Sequence, residues 1–195
     1  MSQEIEIEVK SMLTKEAYCT LVKGLELDES EAVTQHNHYF ETPDFSLKAA
    51  HAGLRIREKN NTFTLTLKQP HTVGKLETHQ TLGRNEWITA KEQGTLPDGK
   101  VKDQLNSLNI PIEKLTYVGT LTTSRIEISY KEGNLCLDKS SYLGNTDFEI
   151  EFEGISEEHA TTTLMKVLDD YNIQYAVTEN KVRRFFTRKL ELDKR

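Results

Sequence analysis

The 195-residue chain is poor in the residues that staple, break or link a fold. It has two cysteines, Cys19 and Cys136, with no metal or redox spacing between them. A chain of this length needs neither disulfide nor zinc to hold a core, and two reduced thiols fit a cytoplasmic protein. Four prolines and the lack of any Gly/Ser-rich run leave no linker, so a single domain over residues 1–195 is expected. No stretch approaches the roughly 18 apolar residues of a membrane span, and no membrane partner is expected. Met1–Lys10 carries four charges in ten residues, unlike a signal peptide. Neither sign of charge dominates. With 31 acids against 25 bases, the net charge is −6 and the pI about 5.6, which argues against a charged tail and against nucleic-acid binding as the main role.

What the chain does have is charge in a regular pattern. Charged residues make up 29% of it, above the roughly 25% of an ordinary domain, and period-2 alternation dominates. Residues 3–11 read as one strand, with Ile5, Ile7 and Val9 opposite Glu4, Glu6, Glu8 and Lys10. Thr14 caps a helix to about Leu27. Strands follow at about 35–42, 52–60 and 62–69, the last two joined by a turn at Asn60-Asn61. Another strand starts at Gly74, and 88–115 reads as helical with a break at 96–99. A strand over 117–130 pairs with one from Gly133, then comes Phe148–Glu153. Ser156 caps a helix to about Tyr171, and the last helix, 178–192, carries Lys181, Arg184 and Arg188 on one side. The fold class is α+β, with eight strands connected mostly by hairpins.

Like charges repeat along single strand faces: Glu6 with Glu8, Arg55 with Arg57, and Glu149 with Glu151. Alternate residues on a strand lie about 7 Å apart, so each such set is easier to hold against an opposite charge. One reading is a solvated face with cross-strand ion pairs, each contributing about 0–1 kcal/mol. The sharper reading closes the eight strands into an antiparallel β-barrel whose interior is the charged face, wide enough for one small ligand. Carboxylates suit a hard divalent cation and Arg and Lys suit phosphate, so the expected guest is a polyanion brought in with metal.

Glu6-Ile7-Glu8-Val9-Lys10 matches the ExExK signature of the CYTH family, the triphosphate tunnel metalloenzymes. The resemblance continues through Asn37–Pro43, Leu54-Arg55-Ile56-Arg57, Lys68, Arg125, Leu137-Asp138, Phe148-Glu149-Ile150-Glu151 and Lys181-Val182-Arg183-Arg184. In detail the chain resembles the small stand-alone CYTH proteins of Gram-positive bacteria. The resemblance implies an eight-stranded tunnel and hydrolysis of a small-molecule triphosphate with Mg2+ or Mn2+. By the same resemblance, Glu6, Glu8, Glu149 and Glu151 are metal ligands. Lys10, Arg55, Arg57, Lys68, Arg125 and Lys181 bind substrate, and Glu8, Lys10, Arg57, Arg125 and Asp138 are the catalytic set. Asp138 is expected to orient a base, and Glu77 to do likewise. Glu4 and Glu153 extend the two acidic runs, which leaves open whether they also bind metal.

Inorganic tripolyphosphate is the first choice of substrate, because the matched residues read only phosphates. Two other activities of the family stand as alternatives: class IV adenylate cyclase and thiamine triphosphatase. A non-catalytic polyphosphate- or nucleotide-binding module is a third. Trp87 and Tyr39 read as packing as readily as base recognition. His36 and His38 share a strand face as a conceivable zinc pair, but ordinary surface histidines are the better reading.

Overall fold

The computed structural model describes residues 2–194, which form two compact units. One comprises residues 2–6 and 35–121, the other 7–34 and 122–194. Neither is a continuous stretch of chain.

The first unit contains β1 (Ser2–Glu6), most of β3 (Val33–Glu41), β4 (Gly53–Lys59), β5 (Thr62–Pro70) and β6 (Lys75–Leu82). They lie in the order β1-β6-β5-β4-β3, all antiparallel. Alternation assigns the faces. Leu54, Ile56, Phe63, Leu65 and Leu67 pack with Trp87 and Ala90 of α3 (Arg84–Gln93) and with Val101 and Leu105 of α4 (Lys100–Ser107). Arg55, Arg57, Thr66 and Lys68 therefore point to the opposite face. The helical region foreseen at 88–115 begins earlier, because the Gly83 N–H donates to Glu86 Oε2 at 2.7 Å and caps α3. It breaks at Gly94, whose φ of 69° closes the helix and whose missing Cβ leaves room for the Leu115 carbonyl. A short helix unforeseen by the pattern, α2 (Ser46–Ala49), is held by buried Glu41, which accepts from the backbone N–H of Thr42, Leu47 and Lys48 at 2.9, 3.0 and 3.1 Å.

The second unit contains β2 (Glu8–Leu13), most of β7 (Thr116–Tyr130), β8 (Gly133–Tyr142) and β9 (Asn145–Glu153), in the order β7-β8-β9-β2, antiparallel. Leu135, Leu137, Ile150 and Phe152 face Tyr18 and Leu21 of α1 (Lys15–Gly24) and Ala160, Leu164, Val167 and Leu168 of α5 (Glu157–Asp170). Both expected caps form: Thr14 accepts from Ala17 N–H and Ser156 from His159 N–H, each at 3.1 Å. Helix α6 (Lys181–Asp193) starts three residues later than expected, where Asn180 Oδ1 accepts from Arg183 N–H at 2.8 Å.

The fold is α+β, with nine strands and six α-helices among the described residues rather than the eight strands expected. The extra strand comes from residues 3–11. Residues up to Glu6 pair with β6, and those from Glu8 pair with β9. The break falls at Ile7, whose carbonyl accepts from Gly154 N–H at 3.0 Å. A period-2 pattern shows which side chains share a face but not where a strand changes partner.

Candidate functional site

In the second unit, strand register assembles a charged cluster around three buried acids, Asp138, Glu149 and Glu151. Arg125 lies opposite Asp138, Asp138 opposite Glu149, Lys10 opposite Glu151, and Glu8 opposite Glu153. Helix α6 adds Lys181 and, nearly one turn on, Arg184. Asp138 is fully buried and accepts a parallel pair of bonds from Arg125, Nε to Oδ1 and Nη2 to Oδ2, both 2.7 Å. Lys181 Nζ stands 2.8 Å from Asp138 Oδ2, 2.5 Å from Glu151 Oε1 and 3.2 Å from Glu149 Oε2. Arg184 donates from Nη2 to Glu149 Oε2 at 2.5 Å and from Nε to Asp147 Oδ2 at 3.0 Å. Lys10 Nζ sits 2.7 Å from Glu8 Oε1 and 3.4 Å from Glu151 Oε1, and Arg125 also donates to Glu151.

The proton equilibria follow from this crowding. Burial pushes the Glu151 carboxyl up, but Lys181, Lys10 and Arg125 together hold it well below the usual range. Lys181 and Arg125 both lose by desolvation and gain more from the acids around them, so both are held well above their ordinary values. Burial pushes the Glu153 carboxyl up against Arg125, with Glu8 adding to the rise. Glu8 and Glu153 bring carboxylate oxygens within 4.8 Å of each other, an oxygen-only donor pair of the kind that hard divalent cations take. Glu8 is itself paired with Lys10, and Glu149 and Glu151 are each contacted by more than one base.

In the first unit a smaller cluster surrounds Glu77, which is buried. Lys68 Nζ lies 2.7 Å from Glu77 Oε1 and also contacts Glu6, while Arg55 Nη2 stands 3.9 Å from Glu77 Oε2. Burial pushes the Glu77 carboxyl up, but Arg55 and Lys68 outweigh it and hold it at about 2. Arg57 donates from Nε to Asn37 Oδ1 at 3.0 Å.

Thus Glu8, Lys10, Arg125, Asp138, Glu149, Glu151 and Lys181 come together in one unit, and Glu6, Arg55, Lys68 and Glu77 in the other, where Arg57 pairs with Asn37. Sequence reasoning left Arg184 and its anchor Asp147 out of the site, although the placement of Arg184 three residues after Lys181 was the available signal. His38 corrects the surface reading. It is buried, stacked on Trp87 at 4.1 Å, with Nδ1 2.7 Å from Thr120 Oγ1, and burial with help from His36 and Lys91 pushes it down to about 4. Among the described residues neither His36 nor His38 joins a group of three close metal-ligating side chains. Trp87 and Tyr39 are buried.

A family model for the CYTH domain matches residues 4–186. The chain is 43% identical over 189 residues to a Bacillus subtilis (strain 168) protein named "Putative triphosphatase YjbK", covering 97% of this chain and 98% of that one. Among solved structures it is similar to a Bacillus halodurans protein described as a "putative adenylate cyclase", at 54% identity and a TM-score of 0.92, covering 95% and 100% of the two chains. It also shares its fold with a Hippeastrum protein described as a "putative adenylyl cyclase" with dominant triphosphatase activity, at 22% identity and a TM-score of 0.79, covering 94% and 96%.

Proposed function

The chain belongs to the CYTH domain family, and from that premise we propose that it is a divalent-metal-dependent triphosphatase acting on inorganic tripolyphosphate or a related triphosphate. The match over residues 4–186 and the discontinuous make-up of both units support one CYTH-like domain over residues 1–195.

The observation that carries the reading is the cluster of Lys10, Arg125, Lys181 and Arg184 on Asp138, Glu149 and Glu151. Four bases gathered on buried acids make a preformed polyanion site, because phosphate oxygens can take the donors that the carboxylates now occupy. Arg125, held as a planar fork by Asp138, and Lys181 supply positive charge where it develops on the phosphoryl oxygens. Arg55, Arg57 and Lys68 offer further phosphate donors, Lys68 and Arg55 being oriented by Glu77. Glu8 and Glu153 would hold Mg2+ or Mn2+, with Glu149 and Glu151 as further carboxylate oxygens for it. The family resemblance supports a metal role for Glu6 as well, which in its own unit pairs with Lys68. A bound divalent cation neutralises phosphate charge and makes water a better nucleophile at neutral pH.

The test incubates the protein with Mg2+ or Mn2+ and, separately, tripolyphosphate, ATP and thiamine triphosphate. Phosphate release, fastest from tripolyphosphate, is the expected outcome. Cyclic AMP as the main product from ATP would replace this reading with the cyclase. Tight binding without turnover would replace it with a non-catalytic module.

A further inference from the structure

A second group of metal-ligating side chains lies in the first unit and involves none of the residues proposed above to bind metal. Strand register puts Glu4 directly opposite Glu77, and His79 follows Glu77 by two residues on the same face. Like charges directly opposite on paired strands are unfavourable, and here His79 lies within reach of both carboxylates. His79 Nε2 is 3.0 Å from Glu4 Oε1 and 3.6 Å from Glu77 Oε2, and one ligand atom from each of the three residues falls within 4.8 Å of the others.

From this geometry we infer a binding site for a borderline divalent transition ion, of the zinc or cobalt(II) class, ligated by His79 Nε2, Glu4 and Glu77. The ring is oriented for this role. Thr66, buried and opposite His79 in the β5–β6 register, places Oγ1 3.0 Å from Nδ1. With Thr66 accepting the Nδ1 proton, Nε2 is the ligand atom, the arrangement in which a second residue fixes the tautomer of a metal-bound histidine. Glu77 Oε1 faces Lys68, while Oε2 faces His79 at 3.6 Å and Arg55 at 3.9 Å. One nitrogen with two carboxylates is a mixed donor set, and imidazole selects for zinc-class ions over Mg2+. A solvent molecule would complete a four-coordinate shell, which exposed Glu4 leaves room for.

The experiment titrates the full chain with Zn2+ in saturating Mg2+, so that oxygen-only sites are filled, and follows binding by calorimetry. The 15N signals of histidine-labelled protein are recorded in parallel, and His79→Asn identifies the His79 resonance. The expected result is a shift of the His79 Nε2 signal on adding Zn2+, with affinity reduced at least about tenfold in His79→Asn and Glu4→Gln. Thr66→Val should weaken binding by about 10–100-fold, with Thr66→Ser restoring it. An unmoved His79 signal, or equal Zn2+ affinity in wild type and His79→Asn, would overturn the site. Because the readout is Zn2+ binding, it stands or falls apart from triphosphate turnover.

Discussion

Single side chains in this protein are explained by what faces them. Glu77 is the clearest case. Its carboxyl sits at about 2 in the folded chain against an ordinary value near 4.5, since Arg55 and Lys68 outweigh its burial. A lowered carboxyl stabilises the fold fully above the ordinary value and loses that contribution as pH falls toward 2. Urea midpoints measured from pH 6 down to 2.5 should therefore fall most steeply below about 4.5. Glu77→Gln should flatten that slope and cost up to roughly 3 kcal/mol at neutral pH. An unchanged slope would mean that Lys68 and Arg55 do not hold this carboxyl. The two cysteines divide in the same way. Burial pushes the Cys136 thiol up, while Cys19 is exposed on α1. A thiol reagent at neutral pH should label one cysteine in the native protein and the second only on unfolding. Arg184 is held by Asp147 together with Glu149, Thr178 Oγ1 and the Glu179 carbonyl, and Asp147 also accepts from Tyr142 Oη at 2.5 Å. Asp147→Asn should raise KM for tripolyphosphate more than it lowers kcat, and equal kinetics to wild type would show that Asp147 does not position Arg184 for substrate.

At the scale of elements, alternation revealed the faces and missed the junctions. The core-facing sides of β4, β5, β8 and β9 were legible because large hydrophobic residues recur there at every second position, and the caps at Thr14 and Ser156 because a hydroxyl precedes each periodic run. The split of residues 3–11 was not legible, since both halves share one parity and only their partners differ. For the same reason the pairing of Glu8 with Glu153 was not visible, because cross-strand register lies outside any one strand's pattern. Helix α2 was hidden because its first amides are held by Thr42 and Glu41, four to seven residues upstream, rather than by a side chain at the cap position, Phe45. Helix α6 delivers Lys181 and Arg184, and its first turn is held by Asn180. Asn180→Ala is expected to cost about 1 kcal/mol of stability and to weaken substrate binding through those two bases. Stability by urea unfolding and KM for tripolyphosphate check the two effects separately.

For the whole molecule, nearly balanced charge says little about the partner. The net charge of −6 coexists with four half-buried bases gathered on buried acids, so an acidic protein can carry a local phosphate-binding site. The low hydrophobic fraction fits as well, because each unit keeps its apolar core on one sheet face and its charges on the other. The chain passes between the units after residues 6, 34 and 121, so neither can be excised as one segment. A single domain should unfold in one transition by both far-UV dichroism and Trp87 fluorescence, and two separated transitions would contradict it. The most direct test of metal-dependent triphosphate hydrolysis is the initial rate of phosphate release from tripolyphosphate at saturating Mg2+, wild type against Glu8→Gln. A fall of at least about a hundredfold in a variant with unchanged dichroism is the expected result, on the order of a lost contribution to transition-state charge stabilisation. Equal rates in the two proteins would contradict it.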